Sequence, residues 1–297
     1  MTITIDSFLD YLKVERRYSS HTITAYRKDL KDFLEFNHKS LNGKSIANIE
    51  YQDVRHWLGH LSNQALDHRT INRKISALKS YFKYLNKTKQ RDDNPMLGHH
   101  TLKTSKRVMT PLSIDEMRRL FEDVHFSEDY SGRRDKLILD LLYCTGMRRA
   151  ELIGLSIGDI DLDLGSVKVL GKRNKERIIP LTNSIVKEIL TYLSFRLALV
   201  PYNNDSLFLT DKGNMLYPQF VYNVVRKYLA KVTTKKYIGP HILRHTFATH
   251  LLERGANLNG VKDLLGHSSL AATQIYTHSN INELKKVYQK THPRQKK

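Results

Sequence analysis

His241 and Arg244 stand three residues apart in His241-Ile-Leu-Arg244-His245-Thr-Phe-Ala-Thr-His250. At helical spacing they project from one face, so two cationic donors face one spot. The whole chain tells which ligand sign to expect: its 297 residues carry 49 Lys+Arg against 30 Asp+Glu, a net charge of +19. Such an excess points to a polyanion, nucleic acid ahead of an anionic membrane surface. Residues 1–100 hold 17 basic and 11 acidic groups, and residues 101–297 hold 32 and 19, so both halves are basic. Taken alone, a His-x-x-Arg pair is common on helix surfaces. Its company is less common: Gly266-His267-Ser268-Ser269 follows, and Gln274-Ile275-Tyr276-Thr277-His278 comes after that. Arg148 lies upstream beside a helix break and Lys172 on a hairpin tip, places from which side chains converge on a groove.

Other chemistries fail on spacing. Gly165 to Arg173 resembles a nucleotide P-loop, but five residues separate the glycines and Arg173 stands where Ser or Thr would bind magnesium. Asp159, Asp161 and Asp163 hint at a calcium loop, yet the glycine comes one residue late and Leu170 replaces the closing Glu. His241, His245 and His250 lack a His-Glu-x-x-His pattern, and the single cysteine, Cys144, completes no structural zinc site. Cys144 follows Leu141-Leu142-Tyr143 and reads as a buried small hydrophobe. No metal and no cofactor is expected. One cysteine fits a reducing compartment. The opening MTITIDSFLD carries two Asp and no basic residue, unlike a secretory signal, so the expected location is cytoplasmic. Apolar runs such as 137–143 fall far short of the ~20 residues that cross a bilayer, so no membrane span is expected.

The elements that must position these residues follow from periodicity. Phe8, Tyr11, Leu12 and Val14 begin a short helix. A second, capped at Ser19-Ser20, carries Ile23, Tyr26, Leu30, Phe33 and Leu34. Val54, Trp57, Leu58 and Leu61 mark a third, and Ile71, Ile75, Leu78, Phe82 and Leu85 a fourth. Residues 1–90 therefore read as a small helical bundle. Between Ile71 and Arg91 lie seven basic residues and no acid, with Lys79, Lys83 and Lys87 on one helix face. That face is either simply solvated or a stripe for a phosphate backbone. From 91 to 111 the apolar period disappears, which predicts a linker. The second domain, 112–297, opens with a capping box at Ser113 and Glu116. Helices are predicted over 133–144, briefly after Arg148, and over 185–199, 220–232, 241–254, 258–264 and 282–288. Val167 to Val169 and Arg177 to Leu181 alternate as strands, with Gly171 to Lys175 as the tip between them. The fold class expected is mainly α with a small antiparallel β-sheet.

Taken together, Thr145-Gly146-Met147-Arg148, Gly171-Lys172 before Asn174-Lys175-Glu176-Arg177, His241-x-x-Arg244-His245, Gly266-His267-Ser268 and Ile275-Tyr276-Thr277-His278 resemble the tyrosine recombinases of the phage integrase family. The likeness is greatest to the Xer recombinases. It extends to Tyr18 through Tyr26 and Asn72 through Lys79, which look like that family's DNA-clamping domain. The linker from His99 to Met109 departs from the pattern, and Arg173 stands where the Xer hairpin often has glycine.

The resemblance implies a two-domain DNA clamp, an N-terminal core-binding domain followed by a catalytic domain whose C-terminal helix exchanges between protomers. Ile281 to Gln289 would be that helix. It implies DNA strand cleavage by Tyr276 as nucleophile, through a 3′-phosphotyrosyl link that needs neither metal nor ATP. Attack on a phosphodiester builds charge on nonbridging oxygens, and Arg148 and Arg244 suit that charge with two-point hydrogen bonds, His241 and His267 being further donors. A phenol of pKa ~10 needs a base or nearby cations, for which His267 is the candidate, and Lys172 would protonate the leaving 5′-oxygen. The expected partners are double-stranded DNA and a related recombinase in a homo- or hetero-tetramer that passes through a Holliday junction, with a DNA translocase as a further partner. The implied role is resolution of chromosome dimers for chromosome partition at cell division. Integration of a mobile element, topoisomerase-type relaxation and non-catalytic DNA-binding regulation are the alternatives.

Overall fold

The structure is a computed structural model and describes residues 5–104, 109–171, 175–199 and 204–266. The chain divides into two compact units, Met1–Arg107 and Val108–Lys297. Among its described residues the first contains four α-helices, α1 (Ile5–Val14), α2 (Ser20–Ser40), α3 (Tyr51–Asn63) and α4 (His68–Lys87). Ser19 caps α2, its Oγ accepting from the Thr22 N–H at 3.3 Å. The apolar stripes of all four helices meet in one core, where Trp57 stands edge-on to Phe33 with ring centroids 5.0 Å apart.

The basic run on α4 is split between two faces. Lys74 turns inward, where its ammonium pairs with Asp32 and lies 3.4 Å from buried Asp29 on α2, and Arg73 also bonds Asp29. Lys79, Lys83 and Lys87 are exposed. Part of the segment expected as a linker is packed on this unit. Arg91 is buried, donating to Asp93 at 2.6 Å and to the Ile46 carbonyl at 2.8 Å, and Met96 is fully buried in the core. Asn72 holds Leu102 as a strand partner would, its amide donating to the Leu102 carbonyl and its oxygen accepting from the Leu102 N–H, both at 2.8 Å.

The second unit begins with α5 (Ile114–Glu122), whose capping box forms as its sequence requires: Glu116 N–H donates to Ser113 Oγ at 3.0 Å and Ser113 N–H to Glu116 Oε2 at 2.7 Å. Next comes α6 (Tyr130–Thr145), which is buried on nearly every side. A helix of that kind must be central. It packs against α8 (Asn183–Leu199), α9 (Pro218–Leu229) and α10 (Pro240–Glu253), and Cys144 lies in its interior-facing run, as expected. Short α7 (Arg149–Ile153) precedes an antiparallel sheet of β1 (Ile160–Asp161), β2 (Ser166–Leu170) and β3 (Glu176–Pro180) in that order, and α11 (Leu258–Leu265) follows α10. The register pairs Val167 with Ile179 and Val169 with Arg177. All four of these side chains are buried. The chain is therefore mainly helical with a small antiparallel sheet. Asp159 and Asp161 serve their own turns, accepting from Ser156 N–H at 2.9 Å and Leu164 N–H at 2.7 Å. Among the described residues no helix is long and apolar enough to cross a membrane.

Candidate active site

The site is built where α6 stops. Gly146 ends that helix in the left-handed region, at φ 61°, and its N–H still reaches the Leu142 carbonyl. A β-carbon there would lie 2.3 Å from the Phe247 ring and 2.9 Å from Leu265, so backbone conformation and space both require glycine. The chain then buries Met147 and presents Arg148 as the N-cap of α7. Arg148 is fixed at two points. Its N–H donates to Glu151 Oε2 and its Nη1 to Glu151 Oε1, each at 2.7 Å, while the side chain remains 37% exposed.

Arg244 reaches the same place from α10. Its Nη1 donates to the Gly146 carbonyl at 2.6 Å and its Nη2 to the Leu265 carbonyl at 2.7 Å, tying the α6–α7 break to the end of α11. Two of the five guanidinium N–H donors are used by these carbonyls. Burial first, and then the positive charge of nearby Arg148, push its pKa down to about 10, so it keeps its charge at neutral pH. His241, one turn earlier on α10, is exposed, as a donor to an incoming ligand must be. The opposite side of α10 is structural: Thr246 accepts from the Leu112 N–H at 2.9 Å, and His250 lies between Tyr143 Oη and the Leu112 carbonyl, both at 2.9 Å. His250 is thereby committed to packing.

Beneath Arg148 lies an ion pair that sequence reading missed. Glu151 Oε1 and Oε2 accept from Arg177 Nη1 at 3.1 Å and Nη2 at 2.8 Å, and both side chains are 5% exposed. Burial alone would raise the Glu151 pKa, but hydrogen bonds from Arg177 and from the Arg148 N–H outweigh it and hold the carboxyl below its ordinary value. The remaining nitrogen of Arg177, Nε, donates to the Leu264 carbonyl at 2.9 Å, at the end of α11. Gly266, which caps α11 at φ 65°, is so close that a β-carbon on it would come within 3.2 Å of Arg177 Nη1. Gly171 lies on another side, where its β-carbon would be 3.5 Å from the same nitrogen. A signal existed in the alternation of β3: Arg177 shares the inward face with Ile179, and a charge on that face demands a buried partner.

Of the six residues singled out from the sequence, Arg148 and Arg244 are brought together and His241 is exposed on the helix of Arg244. Lys172, His267 and Tyr276 lie outside the described residues, as does 281–289. Gly171 and Gly266, which directly precede Lys172 and His267, both lie against Arg177. Two cationic forks held apart from each other's hydrogen bonds, with one carboxylate neutralised below them, form a clamp for an oxyanion such as a phosphodiester.

Residues 110–283 match the profile of the Phage integrase family, and residues 5–89 match the Phage integrase N-terminal SAM-like domain. The chain is 38% identical over 306 residues to the tyrosine recombinase XerC of Pelotomaculum thermopropionicum, covering all of both chains. It is 36% identical to the tyrosine recombinase XerD of Staphylococcus epidermidis, over 99% of this chain and 100% of that one. In structure it is similar to XerH site-specific recombinase bound to its difH substrate in a pre-cleavage complex, with TM-score 0.68 and 25% identity over 90% of this chain and 76% of that chain. The fold is also that of the Tn1549 transposon integrase in complex with transposon right end DNA, at TM-score 0.73 and 18% identity over 96% and 99% of the two chains. The chain belongs to the phage integrase family and, within it, to the tyrosine recombinases of the Xer type, which are DNA strand-transferring enzymes.

Proposed function

We propose that this chain is a site-specific recombinase that cuts and rejoins double-stranded DNA with Tyr276 as nucleophile, in the resolution of chromosome dimers before cell division. The convergence of Arg148 and Arg244 on one partly exposed spot carries the reading, because a phosphodiester under attack needs fixed cations at its nonbridging oxygens. Tyr276 Oη forms a bond to phosphorus while the bond from phosphorus to the 5′-oxygen breaks. The phenolic proton passes to His267, and Lys172 supplies a proton to the departing 5′-oxygen. His241 donates to a nonbridging oxygen beside the two arginines. The 3′-phosphotyrosyl product keeps the energy of the broken bond, so a 5′-hydroxyl from another strand can displace the tyrosine with no metal or nucleotide.

Similarity to XerC and XerD supports the chromosomal role, and XerH bound to its substrate supports duplex DNA as the partner. On this reading the enzyme works on the nucleoid in the cytoplasm, as a tetramer with itself or with a related recombinase whose activity a DNA translocase governs. Exposed Lys79, Lys83 and Lys87 follow the DNA backbone. The test is denaturant trapping of protein–DNA adducts from cells expressing wild type or Tyr276→Phe, followed by sequencing of the attached DNA. Adducts that depend on Tyr276 and gather at one site near the replication terminus are expected. Adducts at the ends of a mobile element would reassign the role, and equal adducts from both proteins would overturn the tyrosine chemistry.

A further inference from the structure

We propose that Arg177 is a positioning residue of the strand-transfer reaction: by occupying both oxygens of buried Glu151 it keeps Arg148 available to the scissile phosphate. The inference rests on the function proposed above. Glu151 holds Arg148 by Nη1 at 2.7 Å, and a carboxylate with nothing else to neutralise it would draw the whole guanidinium into a two-point pair. Arg177 prevents that. It meets the same carboxylate at 3.1 and 2.8 Å, with both partners nearly sealed from water. Three guanidinium charges around one carboxylate leave the site two positive charges in excess, enough to match a phosphorane's developing charge, and removal of Arg177 halves that excess.

Position adds to charge. The third bond of Arg177, from Nε to the Leu264 carbonyl at 2.9 Å, fixes the end of α11, whose Leu265 carbonyl in turn receives Arg244. One buried side chain therefore sets the environment of both arginines. Lysine could not replace it, because an ammonium has neither the two-point fork for Glu151 nor the separate Nε–H for Leu264.

The test measures single-turnover formation of the tyrosyl adduct on a nicked duplex carrying the site recovered from the trapped adducts. Duplex binding and thermal melting are followed in parallel. Arg177→Gln is expected to slow adduct formation about 100-fold, the effect of losing one charged donor to the transition state, with binding changed less than about threefold. Arg177→Lys should be slowed about tenfold. The decisive protein is Glu151→Gln with Arg177→Gln, in which no buried charge is left unpaired. Without a carboxylate to capture it Arg148 is released, so the pair should react at least about tenfold faster than Arg177→Gln. If the double variant reacts no faster than Arg177→Gln, or Arg177→Lys matches wild type, the inference fails. Should Arg177→Gln not fold, Arg177→Lys and the double variant still decide: the inference stands if both bind duplex as wild type, Arg177→Lys reacts more slowly than wild type and the double variant reacts at least as fast as Arg177→Lys, and it falls if Arg177→Lys equals wild type or the double variant reacts more slowly than Arg177→Lys. A wild type that yields no adduct would instead overturn the proposed function itself.

Discussion

Replacing Gly146 by alanine tests whether the α6–α7 break is as tightly built as its geometry indicates. The left-handed conformation costs an alanine about 1–2 kcal/mol. The new methyl carbon, 2.3 Å from Phe247 Cδ1 and 2.9 Å from Leu265 Cδ2, must also push two buried side chains aside, which adds about 1–3 kcal/mol. Gly255 supplies the control: it too has positive φ, at 85°, but a β-carbon there meets nothing within 4 Å, so Gly255→Ala carries the backbone cost alone. Urea unfolding should therefore place Gly146→Ala about 1–3 kcal/mol below Gly255→Ala in stability. Because the Gly146 carbonyl receives Arg244, a displacement there should also lower tyrosyl-adduct formation, by up to about 100-fold, while Gly255→Ala leaves it within a few-fold of wild type. Equal unfolding midpoints for the two variants would refute the steric reasoning.

Burial pushes the pKa of His250 below its ordinary value, so the folded protein binds its proton less readily than the unfolded chain. Its stabilising contribution is complete above the unfolded pKa of about 6.5 and is lost as pH falls below it, so urea midpoints of wild type should fall more between pH 8 and pH 5 than those of His250→Gln. On α4, Lys79→Gln and Lys83→Gln should each lower the slope of log K for DNA against log salt by about 0.9, with no change in melting temperature; an unchanged slope would mean that this face is merely solvated.

Much of the fold was legible because its helices carry local signals. Ser19 and Ser113 cap where they should, and the apolar stripes of α1 to α4 and α9 lie at helical spacing. Strand β1 has two residues, too few for any alternation to register. The segment after Arg91 lacks an apolar period, so its attachment through Asn72 and Leu102, thirty residues apart, leaves no local trace. Lys74 reads as one more member of a basic run until α2 brings Asp29 and Asp32 to it. In the candidate site, Arg148, His241 and Arg244 were found from motif and helical spacing, since each lies near a break or on a helix face. Arg177 was read as a strand residue because its partners, Glu151 and Leu264, are 26 and 87 residues away.

The β-sheet of the second unit has two edges, and unguarded edges invite strands of other copies to pair with them. Edge strand β1 offers two residues. At β3 the edge is closed differently: Pro180 lacks an N–H to donate, and Arg177 puts a buried charge on the strand while its Nε ties it to α11. An incoming strand would gain few ladder hydrogen bonds there. Variants that loosen the tie of Arg177 to α11 should therefore be judged by solubility on concentration as well as by rate.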